Sequence, residues 1–121
     1  MILADTSVWI DHFRRGNRVF AELLMDCQVS VHPFVLGELA CGNLADRTAV
    51  LSDIAELPHA VSATDAEVMN LIERRTLWGK GIGWVDAHLL ASALLSSCAL
   101  WTLDNRLNRV AESIAIATFA G

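Results

Sequence analysis

Four acidic residues in this 121-residue chain stand where solvation alone does not explain them: Asp5, Glu38, Asp86 and Asp104. Asp5 ends the apolar run Ile2-Leu3-Ala4. Glu38 is the only charge within Phe34–Cys41. Asp86 opens an apolar helix with Leu89, Leu90 and Ala93 three, four and seven residues on, so its carboxylate projects from a buried face. Asp104 follows the run Ala99–Leu103 as Asp5 follows the first one. The other acids fall on polar helix faces or near helix ends. Brought together unpaired, four carboxylates repel, and burial raises their pKa values. No Lys or Arg is placed to pair all four. A hard divalent cation, Mg²⁺ or Mn²⁺, is the simplest compensation, because such ions prefer oxygen ligands. The alternative is three helix caps and one buried, hydrogen-bonded Glu.

The elements that must position these groups alternate between strand and helix. Residues 2–5 read as a strand, and 7–15 as a helix with Val8, Trp9 and Phe13 inward, stopped at Gly16-Asn17. A helix near 18–26 carries Val19, Phe20, Leu23 and Leu24 as its apolar stripe. Val29–Val31 is a short strand, and Pro33 opens a helix over Phe34–Cys41. Residues 45–56 form an amphipathic helix closed by Pro58, and an extended segment follows near Ala60-Val61. Thr64-x-x-Glu67 is a capping box for a helix to about Leu77. The glycines of Gly79-Lys80-Gly81-Ile82-Gly83 lack the spacing of a P-loop or a dinucleotide fingerprint. They form a flexible, close-approach loop before a helix from Trp84 to Ser96. Ala99–Thr102 is a strand, Asp104 starts a helix to about Glu112, and Ile114–Thr118 is a last strand. The alternation predicts one α/β domain over 1–121, with a central, mostly parallel sheet flanked by helices on both faces. In such sheets ligands sit at the C-terminal strand edge, where Asp5 and Asp104 fall.

Composition narrows the function classes. The chain is 54% hydrophobic, which excludes disorder. Its formal net charge of -5 argues against nucleic-acid binding through a general basic field. It does not argue against a nucleic-acid enzyme whose acids hold a metal. Lys80 is the only lysine, and the other basic residues are arginines, suited to bidentate phosphate or carboxylate contacts or reflecting lineage bias. Cys27, Cys41 and Cys98 are odd in number, lack metal-ligand spacing and have apolar neighbours, so they read as core residues in a reducing, cytoplasmic compartment. The N-terminus lacks a signal-peptide pattern. Ala87–Leu103 is too short and too polar for a membrane span.

With these residues in view the chain resembles PIN-domain ribonucleases. The resemblance lies in Asp5-Thr6-Ser7, the central Glu38, Val85-Asp86-Ala87-His88 and Thr102-x-Asp104. The opening Ile2–Asp11 and the run Asp86–Leu94 are most similar to VapC toxins of toxin–antitoxin pairs. Many PIN domains carry a further acid after the fourth; here Asn105 and Asn108 are the nearby polar residues. The resemblance implies a PIN-like fold and an Mg²⁺- or Mn²⁺-dependent endoribonuclease that cleaves structured RNA, a tRNA or an rRNA loop, by metal-activated water. It implies Asp5, Glu38, Asp86 and Asp104 as catalytic residues, with Asp5, Asp86 and Asp104 as metal ligands. Thr6, Ser7 and Thr102 would hold carboxylates and waters in place. The implied partners are a VapB-like antitoxin and a second copy in a homodimer, with no membrane. A catalytically inactive PIN-like interaction module is the alternative.

Lys80 and Arg106 lie near the expected site and are candidates for RNA phosphate contact. His88 falls two residues after Asp86 and so on another helix face, which favours a structural role. His12, His32 and His59 have no partners at catalytic spacing. Trp9 and Trp101 sit within apolar elements and read as core. Trp78 and Trp84 flank the glycine loop and suit either core packing or base stacking.

Overall fold

A computed structural model describes residues 1–121. The order is β1 (Ile2–Ala4), α1 (Thr6–Arg15), α2 (Arg18–Met25), β2 (Val29–Ser30), α3 (Pro33–Ala40), α4 (Arg47–Ala55), α5 (Asp65–Arg75), α6 (Trp84–Ser96), β3 (Ala99–Trp101) and α7 (Asn105–Ser113). The strands form one parallel sheet in the order β2-β1-β3. Its register pairs Ile2 with Val29 and Ala99, Leu3 with Ser30 and Leu100, and Ala4 with Trp101. Parallel strands put their C-terminal ends on one edge, so the residues after β1, β2 and β3 face a common side.

Successive strand residues point to opposite faces. Leu3, Ala4 and Leu100 are fully buried, and Trp101 almost so. Helices therefore cover both faces of the sheet, as an all-parallel sheet requires. Phe20 of α2 packs edge-on between Trp9 of α1 and Trp101 of β3, with centroids 4.7 and 5.7 Å away. These rings and Leu3, Leu39, Leu89, Leu90, Leu100 and Leu107 form one continuous core. A smaller cluster of Ala63, Val68, Ala87 and Ala91 joins α5 to α6. No helix is long and apolar enough to cross a membrane.

Several expectations shift. Ile114–Thr118 is not a full strand: it makes one bridge, Leu100 to Thr118, with Leu100 N–H donating to Ala117 O and Phe119 N–H to Leu100 O. Ala115 has a φ of 62°, which interrupts extended backbone just before the pairing begins. The segment near Ala60 likewise adds only the bridge from Val31 to His59. Phe13 is 40% exposed, not inward. Cys98 is buried, but Cys27 and Cys41 are exposed. Cys27 occupies a left-handed turn after α2, and Cys41 is the C-cap of α3; both lie where the chain leaves the core. Trp9 and Trp101 are core residues, whereas Trp78 and Trp84 are exposed.

Candidate active site

Each of the four acids comes from a different segment. Asp5 follows β1 and is the N-cap of α1; its Oδ1 accepts from Ser7 N–H at 2.9 Å. Asp104 follows β3 and caps α7; its Oδ1 accepts from Arg106 N–H at 2.9 Å and Leu107 N–H at 3.4 Å. Asp86 lies in the first turn of α6, and its Oδ2 accepts from Gly83 N–H at 3.1 Å. Glu38 is on α3, at the start of the connection from β2 to β3. Glu38 is exposed at the rim, so it is not the buried glutamate that the alternative reading of three caps and one buried Glu required. Val35 and Leu39 are the buried residues of its helix, and Glu38 sits at the edge of the face they form.

Hydroxyls join these segments. Ser7 Oγ donates to Asp5 Oδ1 and accepts from Leu103 N–H at 3.0 Å. Thr102 Oγ1 donates to Asp5 Oδ2 at 2.5 Å and accepts from Asp104 N–H at 3.0 Å. Two hydroxyl relays thus tie the Asp5 carboxylate to the turn that presents Asp104. Thr6 Oγ1 donates to Glu38 Oε1 at 2.6 Å, tying the rim acid to the start of α1. Thr6, Ser7 and Thr102 all contact the acid set.

Burial pushes the Asp5 carboxyl above its ordinary value, against the lowering effect of the hydrogen bonds from Ser7 and Thr102. Burial also pushes Asp86 up, and Gly83 N–H partly offsets this. The negative charges of Asp5, Asp104 and Glu38 then raise Asp86 further. All four carboxylates therefore share one electrostatic neighbourhood. Their donor set is all oxygen, which fits a hard divalent cation. No three His, Cys, Asp or Glu side chains converge into a ready-made cage. Mg²⁺ does not need one, since it keeps several waters and takes one or two carboxylates plus phosphate oxygens.

The remaining candidates fall into two groups. Lys80 and Arg106 are exposed beside one another, joined by Arg109 from the next turn of α7. Arg109 was absent from the residues singled out in the sequence; its spacing of three from Arg106 was the available signal. His88 turns away from Asp86 and is buried, with Trp84, Phe34 and His32 around it and Asp65 Oδ1 3.2 Å from Nε2. His32, without a catalytic partner, is the buried N-cap of α3: its Nδ1 accepts from Phe34 N–H at 2.9 Å.

A parallel α/β domain with an acid cluster at the C-terminal edge of its strands is the class these features define. The chain belongs to the PIN domain family, whose model matches residues 2–113. It is 45% identical over 118 residues to Ribonuclease VapC32 of Mycobacterium tuberculosis, covering 97% of this chain and 95% of that protein. Among solved structures it is similar to FitAcB from Neisseria gonorrhoeae, with a TM-score of 0.65 and 20% identity over 99% of this chain and 97% of that one. FitAB bound to an IR36 DNA fragment gives a TM-score of 0.67 at 20% identity, covering 98% and 94% of the two chains. PAE2754 from Pyrobaculum aerophilum gives 0.58 at 16% identity, covering 90% and 78%. The solved structures bear out the expected fold.

Proposed function

We propose that the chain is an endoribonuclease of VapC type, the toxin of a toxin–antitoxin pair, which hydrolyses structured RNA such as a tRNA or an rRNA loop with Mg²⁺ or Mn²⁺. The observation that carries this reading is the acid-lined strand edge: Ser7 and Thr102 tie the Asp5 carboxylate to the turn that presents Asp104, and Thr6 ties Glu38 to the start of α1. A carboxyl such as that of Asp86, raised by burial and then by neighbouring carboxylates, is poised to bind a cation in place of a proton. The match to a curated ribonuclease along nearly the whole chain supports the same reading.

In this mechanism Asp5, Asp86 and Asp104 would hold the ion. A bound divalent ion supplies Lewis acidity toward a phosphate oxygen and acidifies a water. Glu38, exposed at the rim, orients the attacking water and takes its proton, and the Thr6 hydroxyl fixes the Glu38 side chain for that role. Ser7 and Thr102 hold Asp5 in place, and their hydrogen bonds favour its ionised form. The cognate partner is a VapB-like antitoxin whose tail enters the acidic groove with an arginine, and the toxin works as a homodimer.

The test pairs chemistry with binding. The purified chain should cleave tRNA or rRNA with Mg²⁺ or Mn²⁺ and stop on chelation, and Asp86→Asn should be inactive. Mn²⁺ at about a hundred times its dissociation constant should stabilise the parent by ~2.7 kcal/mol and leave Asp86→Asn unmoved. If the parent neither cleaves RNA nor gains stability, the acids are caps and the inactive interaction module is the better reading.

A further inference from the structure

The acidic edge has a basic neighbour. Lys80 of the glycine loop and Arg106 and Arg109 of α7 line one open pocket, with Val110 and Ser113. Residues 106, 109, 110 and 113 share one helix face by their spacing. All three cations are exposed. None has a carboxylate partner: the arginine–carboxylate ion pairs of the molecule are Arg15 with Asp11 and Arg18 with Glu22. The one acid of α7, Glu112, is engaged elsewhere by Asn108 Nδ2 at 2.9 Å. In a chain of net charge -5 this is an uncompensated positive site, and like charges held together cost stability.

Both walls of the pocket start at the acid site. The loop wall ends at Gly83, whose N–H donates to Asp86. The helix wall begins at Asp104, which accepts from Arg106 N–H. Arg109 lies five residues along α7 from Asp104, or about 7.5 Å along the helix axis. The loop also passes close to the Arg106 side chain. Gly81 adopts a φ of +79°, and a Cβ there would come 2.7 Å from Arg106 Cδ. Glycine thus lets the loop backbone close against the arginine stem.

We propose that Lys80, Arg106 and Arg109 form a seat for a backbone phosphate of the RNA substrate next to the phosphate being cut, with Gly81 positioning Arg106. The seat deepens the ribonuclease reading and rests on it. It grips any RNA sequence and sets the register of the strand across Asp5, Asp86 and Asp104.

The experiment measures binding of a labelled stem–loop RNA to the Asp5→Asn chain in chelator, across a series of salt concentrations. Cleavage of the same RNA by the otherwise unaltered chain is followed in parallel with Mg²⁺. Arg109→Ala should weaken binding about three- to tenfold at low salt and flatten the log–log salt dependence by ~0.7–0.9. Arg109→Lys should restore the slope. Gly81→Ala should weaken binding in the same direction as Arg106→Ala. Arg75→Ala, a cation on α5, should change neither quantity. Arg109→Ala should unfold no lower than the parent at low salt, which separates the seat from a structural role. A parent that cleaves while Arg109→Ala binds with unchanged affinity and slope overturns the seat and leaves the ribonuclease standing. An Arg109→Ala effect on an acidic protein partner but not on RNA also overturns it. A parent that neither cuts nor binds the probe removes the ribonuclease reading, and the seat with it.

Discussion

Asp5 and Asp104 do the same local job at the ends of neighbouring parallel strands. Each follows an apolar strand, caps the next helix and accepts a backbone N–H two residues on at 2.9 Å. Their surroundings differ. Asp5 is 6% exposed, with hydroxyls on both carboxylate oxygens, and burial drives its pKa up. Asp104 is exposed and accepts only backbone donors. β1 is the central strand, so its end is walled by both neighbours, whereas β3 lies outside it. The end of β2 adds a third case. His32 caps α3 as a buried imidazole whose Nε2 has no partner. One capping geometry thus serves a stressed carboxylate, a solvated carboxylate and a buried histidine.

The largest expected effect tests the first two ends. Asp5→Asn should lower RNA cleavage by about a thousandfold, or ~4 kcal/mol of barrier, and Asp104→Asn by about tenfold. A larger loss at Asp104 in a single-turnover assay would break the ranking. Next is the histidine end. Burial, and then the nearby His88, lower His32 to about 4. The unfolded chain protonates His32 near pH 6.5 and the folded chain does not, so its contribution is intact above that pH. It is lost as pH falls from about 6.5 to about 4, by roughly 3 kcal/mol. Asn is itself a good N-cap. His32→Asn should therefore be less sensitive to acid than the parent in urea unfolding over that window. Asp5 and Asp86 act in the opposite sense in both chains, because carboxyls with raised values gain stability as pH falls. The difference between parent and variant thus isolates His32.

Smaller effects sharpen the link between the strand ends. Thr102→Val leaves Asp104 N–H without its acceptor and Asp5 with one hydroxyl fewer, and should cost about 1–3 kcal/mol in chemical denaturation. Asp104→Asn should change stability by no more than about 0.5 kcal/mol, since Asn and Asp cap equally well. A cost at Asp104 as large as that at Thr102 would mean the exposed carboxylate carries structure too.

The helices were legible because their signals are local. Thr64-x-x-Glu67 forms the capping box, with Thr64 N–H donating to Glu67 Oε1 at 2.9 Å and Glu67 N–H to Thr64 Oγ1 at 3.1 Å. Pro33 opens α3, and Asp5 and Asp104 cap α1 and α7. The unusual acids were legible because each interrupts an apolar run. The edge bridges were harder: Ile114–Thr118 has the composition of a strand, but a left-handed Ala115 leaves only the bridge at Thr118. The exposure of Glu38 was not legible for a related reason. An apolar helix does not reveal which of its sides is covered, and α3 turns Glu38 to the rim.

By itself the sequence determined which residue types end each strand and start each helix, because capping and periodicity act within a few positions along the chain. It also determined that Asp5, Glu38, Asp86 and Asp104 required a shared explanation. Only the tertiary structure decided that Asp5 is buried and Asp104 solvated, that Ser7 and Thr102 tie them together, and that Arg109 joins Lys80 and Arg106. Those outcomes depend on which strand lies at the centre of the sheet and which loop closes over which helix. Desolvation and charge–charge repulsion are set by neighbours in space, and residues as far apart as 5 and 102 become neighbours only when the parallel sheet closes.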